Sequence, residues 1–159
     1  MEKPLAMLIV PPVYDFAFFD LFFKPYGLLR IGKWLQNGGW ETVLINSLDY
    51  NDKISLISAK PLSRKSNGTG KLFRKIVESP FSNIPYINRS YARYGITEES
   101  LKSQIKNAGK PDIILISTFM TYWSIGVRET VKLCKEIWPE SPVFTGGIYA
   151  SLMPQHCAE

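Results

Sequence analysis

The sequence is poor in the residues that carry most chemistry. Among 159 residues there is one histidine, His156, and there are two cysteines, Cys134 and Cys157. A histidine without companions is no metal set, because metal sites draw on several ligands. Its position in the first turn of a helix opened by Pro154 favours a capping or packing role. Two cysteines make neither a disulfide framework nor metal-ligand spacing. They predict a reduced, cytoplasmic chain in which the sequons Asn67-Gly-Thr and Asn88-Arg-Ser are idle. No apolar run approaches the roughly 18 residues that span a bilayer. Leu5 to Val10 is too short for a signal peptide and runs into Pro11-Pro12, so no membrane partner is expected. There is no carboxylate pair and no Ser–His–Asp set, and the sequence names no catalytic residue.

Phosphate-binding loops are missing too. A dinucleotide site needs a glycine-rich turn after the first strand, and the turn here is Pro11-Pro-Val-Tyr14. Asn67-Gly-Thr-Gly-Lys71 has Lys65 where the Walker spacing needs glycine and Leu72 where it needs Ser or Thr. Asp15 alone does not supply the acidic pair of a receiver domain.

What is present has the periods of an α/β domain. Hydrophobic content of 45% and charged content of 21% suit one globular domain spanning 1–159. Leu5-Ala-Met-Leu-Ile-Val10 is a continuous apolar run, the pattern of a strand buried on both faces. A helix is predicted over Tyr26 to Asn37, with Leu28, Ile31 and Leu35 on one face, Gly32 allowing close approach and Gly38-Gly39 ending it. Glu41 to Ile45 is a second strand. Thr97 caps a helix carrying Leu101, Ile105 and Ala108. A third strand is predicted over Asp112 to Ser117. A helix over Ser124 to Trp138 follows, with Val127, Val131, Cys134 and Trp138 inward, which makes Cys134 a core residue. Pro142 to Thr145 is a fourth strand.

This order predicts a flavodoxin-like (Rossmann-like) doubly wound parallel sheet, strand order 2-1-3-4, in which the fifth strand expected beside the fourth is missing. The fourth strand is then an exposed edge. Ligands of such sheets bind outside the carboxyl ends of strands 1 and 3. Three loops converge there: Pro11 to Asp15, Ser117 to Trp123, and Gly146-Gly147.

Residues 46–96 read as an irregular insertion with one short helix near Leu72 to Val77. Between Asn51 and Gly95 it carries the excess positive charge: Lys53, Lys60, Arg64, Lys65, Lys71, Arg74, Lys75, Arg89 and Arg93 against Asp52 and Glu78. A solvated surface is the plain reading. Contact with an anionic ligand or with an acidic partner is the sharper one; a nucleic-acid binder is a further alternative, without a recognition motif. The aromatic run Phe16 to Phe23 has three readings: a cap over the crevice or a domain interface, part of the core, or, least favoured because Asp20 interrupts a short patch, a membrane-surface contact.

These stretches resemble one family. Pro11-Pro-Val-Tyr-Asp15, Lys24-Pro-Tyr-Gly-Leu-Leu-Arg-Ile-Gly32, Gly68-Thr-Gly-Lys71, Arg93-Tyr-Gly-Ile96, Met120-Thr-Tyr-Trp123 and Gly146-Gly-Ile-Tyr-Ala-Ser-Leu-Met-Pro-Gln-His156 occur in the order seen in the N-terminal domain of cobalamin-binding radical SAM (S-adenosylmethionine) proteins. The last two stretches are the most specific. The resemblance implies a cobalamin-binding domain whose slot is lined by Pro12, Tyr14, Ser117, Thr118, Thr121, Gly146, Gly147, Ile148 and Tyr149. It implies a partner in cis, a radical SAM domain binding S-adenosylmethionine and a [4Fe–4S] cluster, downstream of Glu159. The Asp-x-His-x-x-Gly motif of some cobalamin domains and the Cys-x-x-x-Cys-x-x-Cys cluster motif do not occur in this sequence. Cobalamin here would have no histidine ligand from the first loop, and these residues would not cleave S-adenosylmethionine. A stand-alone or vestigial ligand-binding module is the alternative.

Overall fold

A computed structural model describes residues 3–21, 23–58, 62–81 and 88–158. Phe22 of the aromatic run, Lys60, Pro61, Pro85, Tyr86 and Glu159 lie outside the described residues. The chain is α/β, built on a four-stranded parallel sheet flanked by helices. Its strands are β1 (Leu5–Val10), β3 (Glu41–Asn46), β6 (Ile113–Thr118) and β7 (Val143–Gly147), hydrogen-bonded in the order β3-β1-β6-β7. A second, antiparallel sheet joins β2 (Val13–Asp15), β5 (Ala92–Tyr94) and β4 (Arg74–Ile76) in the order β2-β5-β4. The helices are α1 (Tyr26–Asn37), α2 (Lys53–Ser58), α3 (Glu98–Asn107), α4 (Ser124–Ile137), α5 (Ile148–Leu152) and α6 (Pro154–Ala158).

Strand β1 is central because it has apolar side chains for both faces. Met7 and Ile9 join Ile114, Ile116 and the inward residues of α3 and α4 in one cluster; Leu8 and Val10 join Leu28 of α1 in another. That split follows from the two-residue alternation of a strand. Helix α1 sits close on its face because Gly32 has no side chain: a Cβ there would lie 2.6 Å from Leu8 Cδ1. The buried stripe of α1 is Leu28, Gly32 and Leu35. Ile31, expected inside, is 47% exposed. The stripe is centred one position later than the apolar residues suggest, since the glycine is the contact point.

Helix α3 begins as its cap requires, with the Ser100 amide donating to Thr97 Oγ1 at 3.2 Å. Cys134 is fully buried, and burial pushes its thiol up to about 12. It is a core residue with no thiolate at neutral pH.

The stretch 46–96 is more ordered than its composition suggests. The helix expected near Leu72 to Val77 is instead strand β4, whose backbone pairs with β5 while Leu72 and Phe73 beside it are buried. Six residues earlier read as irregular form α2. The stretch leaves and rejoins the main sheet at one point: Ser47 N donates to Val10 O at 3.0 Å and Ile96 N to Ser47 O at 2.7 Å. Gly95 is required there, with φ +127° and Ser47 O only 2.4 Å from where a Cβ would be. Asp52 is buried and ties α2 to α3. It accepts from Ser55 N at 2.7 Å, Ser100 Oγ at 2.8 Å and Gln104 Nε2 at 2.9 Å.

Strand β7 is the sheet edge, and Phe144 on its α1 side is 55% exposed. No helix among the described residues is long and apolar enough to cross a membrane.

Candidate functional site

The switch point of the parallel sheet lies between β1 and β6, since β1 leads through α1 to one side and β6 through α4 to the other. Aromatic side chains fill this position. Phe18 packs edge-on against Trp123 at 5.3 Å and Phe23 at 6.2 Å between ring centres; Phe23 meets Phe119 at 4.6 Å. Trp123 is anchored by Nε1 donating to Asp15 Oδ2 at 2.8 Å. Phe18 and Phe23 thus serve as core packing, while Phe19 stays exposed. What remains is a cavity of about 20 Å³ bordered by Pro12, Ser117, Phe119, Trp123 and Val127. That is room for one water-sized group. Ser117 is buried and its Oγ has no hydrogen-bond partner among the described residues.

Thr118, Gly146, Gly147, Ile148 and Tyr149 come together where β6 and β7 end. Thr118 Oγ1 donates to Gly146 O at 3.2 Å and accepts from Ala150 N at 3.1 Å. Gly147 has φ +122°, and a Cβ there would lie 2.1 Å from Thr118 O. Only glycine fits. Gly146 differs: it is exposed, and nothing lies within 4 Å of a Cβ built on it. Ile148 beside it is exposed. Tyr149 is buried, and burial raises its hydroxyl above the usual range. That hydroxyl meets His156 Nδ1 at 2.7 Å, which gives the lone histidine a structural partner. Thr121 opens a short 3-10 turn (Thr121–Trp123) and is half-buried.

Pro12 and Tyr14 do not reach this lip. Pro12 is buried under α4: a Cβ on Gly126 would lie 1.8 Å from Pro12 O. Tyr14 belongs to a separate charged cluster. Its hydroxyl donates to Glu129 Oε2 at 2.7 Å, and burial followed by that hydrogen bond raises its pKa. Arg93 donates to the same carboxylate through Nη2 at 2.8 Å and Nε at 3.1 Å, and through Nη1 to Ile96 O. Arg93 is 2% exposed, so one member of the basic run is interior rather than solvated. Glu129 and Gly126 carry no mark in the sequence, and Arg93 stands there as one of a run of basic residues. Only the Arg93-Tyr-Gly-Ile96 stretch hints at Arg93 itself.

A second basic residue is also engaged: Arg64 Nη2 meets Asp20 Oδ2 at 2.7 Å, with its guanidinium 3.5 Å from the Tyr50 ring centre. Outside the aromatic plug lies an open groove of about 1470 Å³, with Trp123 bordering both spaces. Phe18, Phe19 and Tyr122 line it together with Lys71, Arg74 and Arg89. The aromatic loop, the Met120-Thr-Tyr-Trp123 stretch and the basic stretch therefore meet at one surface. Among the described residues no three His, Cys, Asp or Glu side chains are grouped as a metal site.

Compared with family models, curated proteins and solved structures, the chain matches none.

Proposed function

We propose that this chain is a cobalamin-type cofactor-binding domain of flavodoxin-like architecture. It would orient cofactor or substrate for radical chemistry done by a radical SAM domain of the same protein, where S-adenosylmethionine and a [4Fe–4S] cluster would bind. The family resemblance supplies the identity of the ligand. The observation carrying the reading is the Ser117 hydroxyl, buried beside the switch point without a partner among the described residues. A buried polar group left unpaired is costly and rare enough to ask for a function.

The residues fit such a ligand at two places. Gly146 and Ile148 offer a flat, open and apolar lip for the edge of a macrocycle. Ser117 offers a hydroxyl to a polar group arriving beside it. The cavity admits only a small group as it stands, and a larger one requires Phe23 and Phe119 to swing aside. Thr118, Gly147 and Tyr149 hold the lip in shape and need not touch the ligand. Cobalamin, when bound, would supply a cobalt centre for group or electron transfer; this chain's part is binding and orientation.

The test is a titration with hydroxocobalamin followed by its visible spectrum. A saturable spectral shift is expected. It should weaken in Ser117→Ala and be lost in Gly146→Trp, with the circular dichroism of both variants unchanged. No shift at high micromolar protein, or equal binding by Gly146→Trp, would overturn the reading in favour of a vestigial fold. Gly147→Trp is unsuitable, because the clash with Thr118 O would unfold the lip.

A further inference from the structure

The small antiparallel sheet ends in a strand whose outer edge is open. Its order is β2-β5-β4, so β4 has β5 on one side and no strand on the other among the described residues. The pairing fixes which backbone groups are free. Gly95 N donates to Phe73 O at 2.9 Å and Val77 N to Tyr91 O at 3.1 Å, so Phe73, Lys75 and Val77 turn their polar groups toward β5. The residues between them turn theirs the other way. The N–H and C=O of Arg74 and Ile76 therefore point outward, and no described residue bonds them. We infer that this edge takes an acidic peptide segment as an added antiparallel strand.

The charge of the edge selects the partner. Four of the described strands lie at sheet edges. Strand β3 carries Glu41, β2 carries Asp15, and β7 carries no charge. Strand β4 alone is cationic, with Arg74 and Lys75. Glu98 holds Lys75 at 2.9 Å, while Arg74 is exposed and has no carboxylate partner among the described residues. Lys71 and Arg89, also exposed, stand at opposite ends of the β4–β5 ribbon. Cations strung along a ribbon suit an extended ligand rather than a single anion. Charge on an edge also keeps other strands away. Ile76, 63% exposed on the same edge, does not serve that end.

There is space for an added strand. Side chains of consecutive strand residues point to opposite faces. Arg74 and Lys75 both line the open groove of about 1470 Å³, so the groove reaches both faces of β4 and passes its free edge. A peptide residue facing Arg74 in an antiparallel pair exchanges two hydrogen bonds with it, and a glutamate there meets the guanidinium. This is recognition by strand addition, with affinity from the main chain and selectivity from side chains. A single strand of nucleic acid offers phosphate acceptors but no regular row of N–H donors for the Arg74 and Ile76 carbonyls.

The probe is a fluorescein-labelled decapeptide of alternating glutamate and threonine, titrated against the full chain by fluorescence anisotropy. It should bind saturably, and the lysine–threonine counterpart should not. Two further acidic peptides test the backbone without altering the protein. N-methylation of the glutamates removes the N–H groups facing β4 and should weaken binding about tenfold or more, the scale of lost hydrogen bonds. N-methylation of the threonines removes N–H groups facing solvent and should change little. Arg74→Glu, an exposed substitution with unchanged circular dichroism, should also lose about tenfold or more for the unmethylated acidic peptide. Equal affinity of the three acidic peptides, or equal binding by Arg74→Glu, would overturn the inference. So would a labelled oligothymidylate that displaces the peptide with a steep salt dependence. A dimer in sedimentation velocity that Arg74→Glu dissociates would assign the edge to a second copy instead. No corrinoid enters this experiment, so its failure and that of the cofactor reading are separable.

Discussion

Gly146 and Gly147 are neighbours in sequence, but replacing them by alanine should have opposite consequences. At Gly147 the backbone is at φ +122° and ψ −167°, a region held almost only by glycine. Strain there is worth about 1–3 kcal/mol. The added methyl would also sit 2.1 Å from Thr118 O and 3.1 Å from Thr118 C and N, all backbone atoms that cannot rotate away. Relief means parting β6 from β7 at the Thr118–Gly147 register pair. That disturbs two Thr118 Oγ1 hydrogen bonds, to Gly146 O and from Ala150 N, at about 0.5–1.5 kcal/mol each. Together these make a loss of about 2–6 kcal/mol, a large part of an ordinary domain's stability. At about 2–4 °C per kcal/mol, Tm should fall by roughly 4–24 °C. Gly146→Ala meets nothing within 4 Å. It should stay within about 1 kcal/mol of wild type, or gain slightly by restricting the unfolded chain. Thermal unfolding by far-ultraviolet circular dichroism distinguishes the two. Equal Tm changes for both variants, or a Gly147→Ala protein as stable as wild type, would refute the reasoning.

Two further outcomes follow from buried charges. Arg93→Met strands the Glu129 carboxylate, whose side chain is 20% exposed, and should cost about 3–5 kcal/mol in urea unfolding; Arg93→Met/Glu129→Met should recover most of it. Asp52 is the acid-sensitive site: burial alone would raise its carboxyl, but hydrogen bonds from Ser55, Ser100 and Gln104 outweigh burial and hold it below the usual range. A carboxylate with a lowered folded-state pKa stabilises the fold fully above its unfolded value of about 3.9, and that contribution is lost as pH falls through the folded value. Urea midpoints should therefore fall below about pH 4, and Asp52→Asn should be less stable at pH 7 with a shallower acid decline; an unchanged acid slope would remove Asp52 from this role.

The parts legible in the sequence are those with local causes. The apolar run of β1, the span of α1 and the Thr97 cap depend on residues within a turn or strand of one another. Where a distant contact competes, the local signal misleads. Ile31 looks like a core residue until Gly32 is seen touching Leu8. Leu72 to Val77 has a faint helical pattern, but pairing with β5 makes Arg74–Ile76 a strand. Arg93 sits in a run of charges, and its partner Glu129 is 36 residues away. The candidate site divides the same way. Ser117, Thr118, Gly146 and Gly147 were visible as strand-end residues. Nothing local distinguishes Gly146, which is open, from Gly147, which is closed against Thr118.

The sequence by itself determined the alternation of strands and helices, the parallel α/β class, the core role of Cys134 and the poverty of catalytic side chains. Periodicity, capping and composition act over a few residues and can be read along the chain. The tertiary structure alone decided that the aromatic run closes the switch point, that Asp15 anchors Trp123 across 108 residues, and that Arg93 is buried against Glu129. Those outcomes depend on which distant surfaces meet, and the free energy of such meetings belongs to the packed pair rather than to either segment.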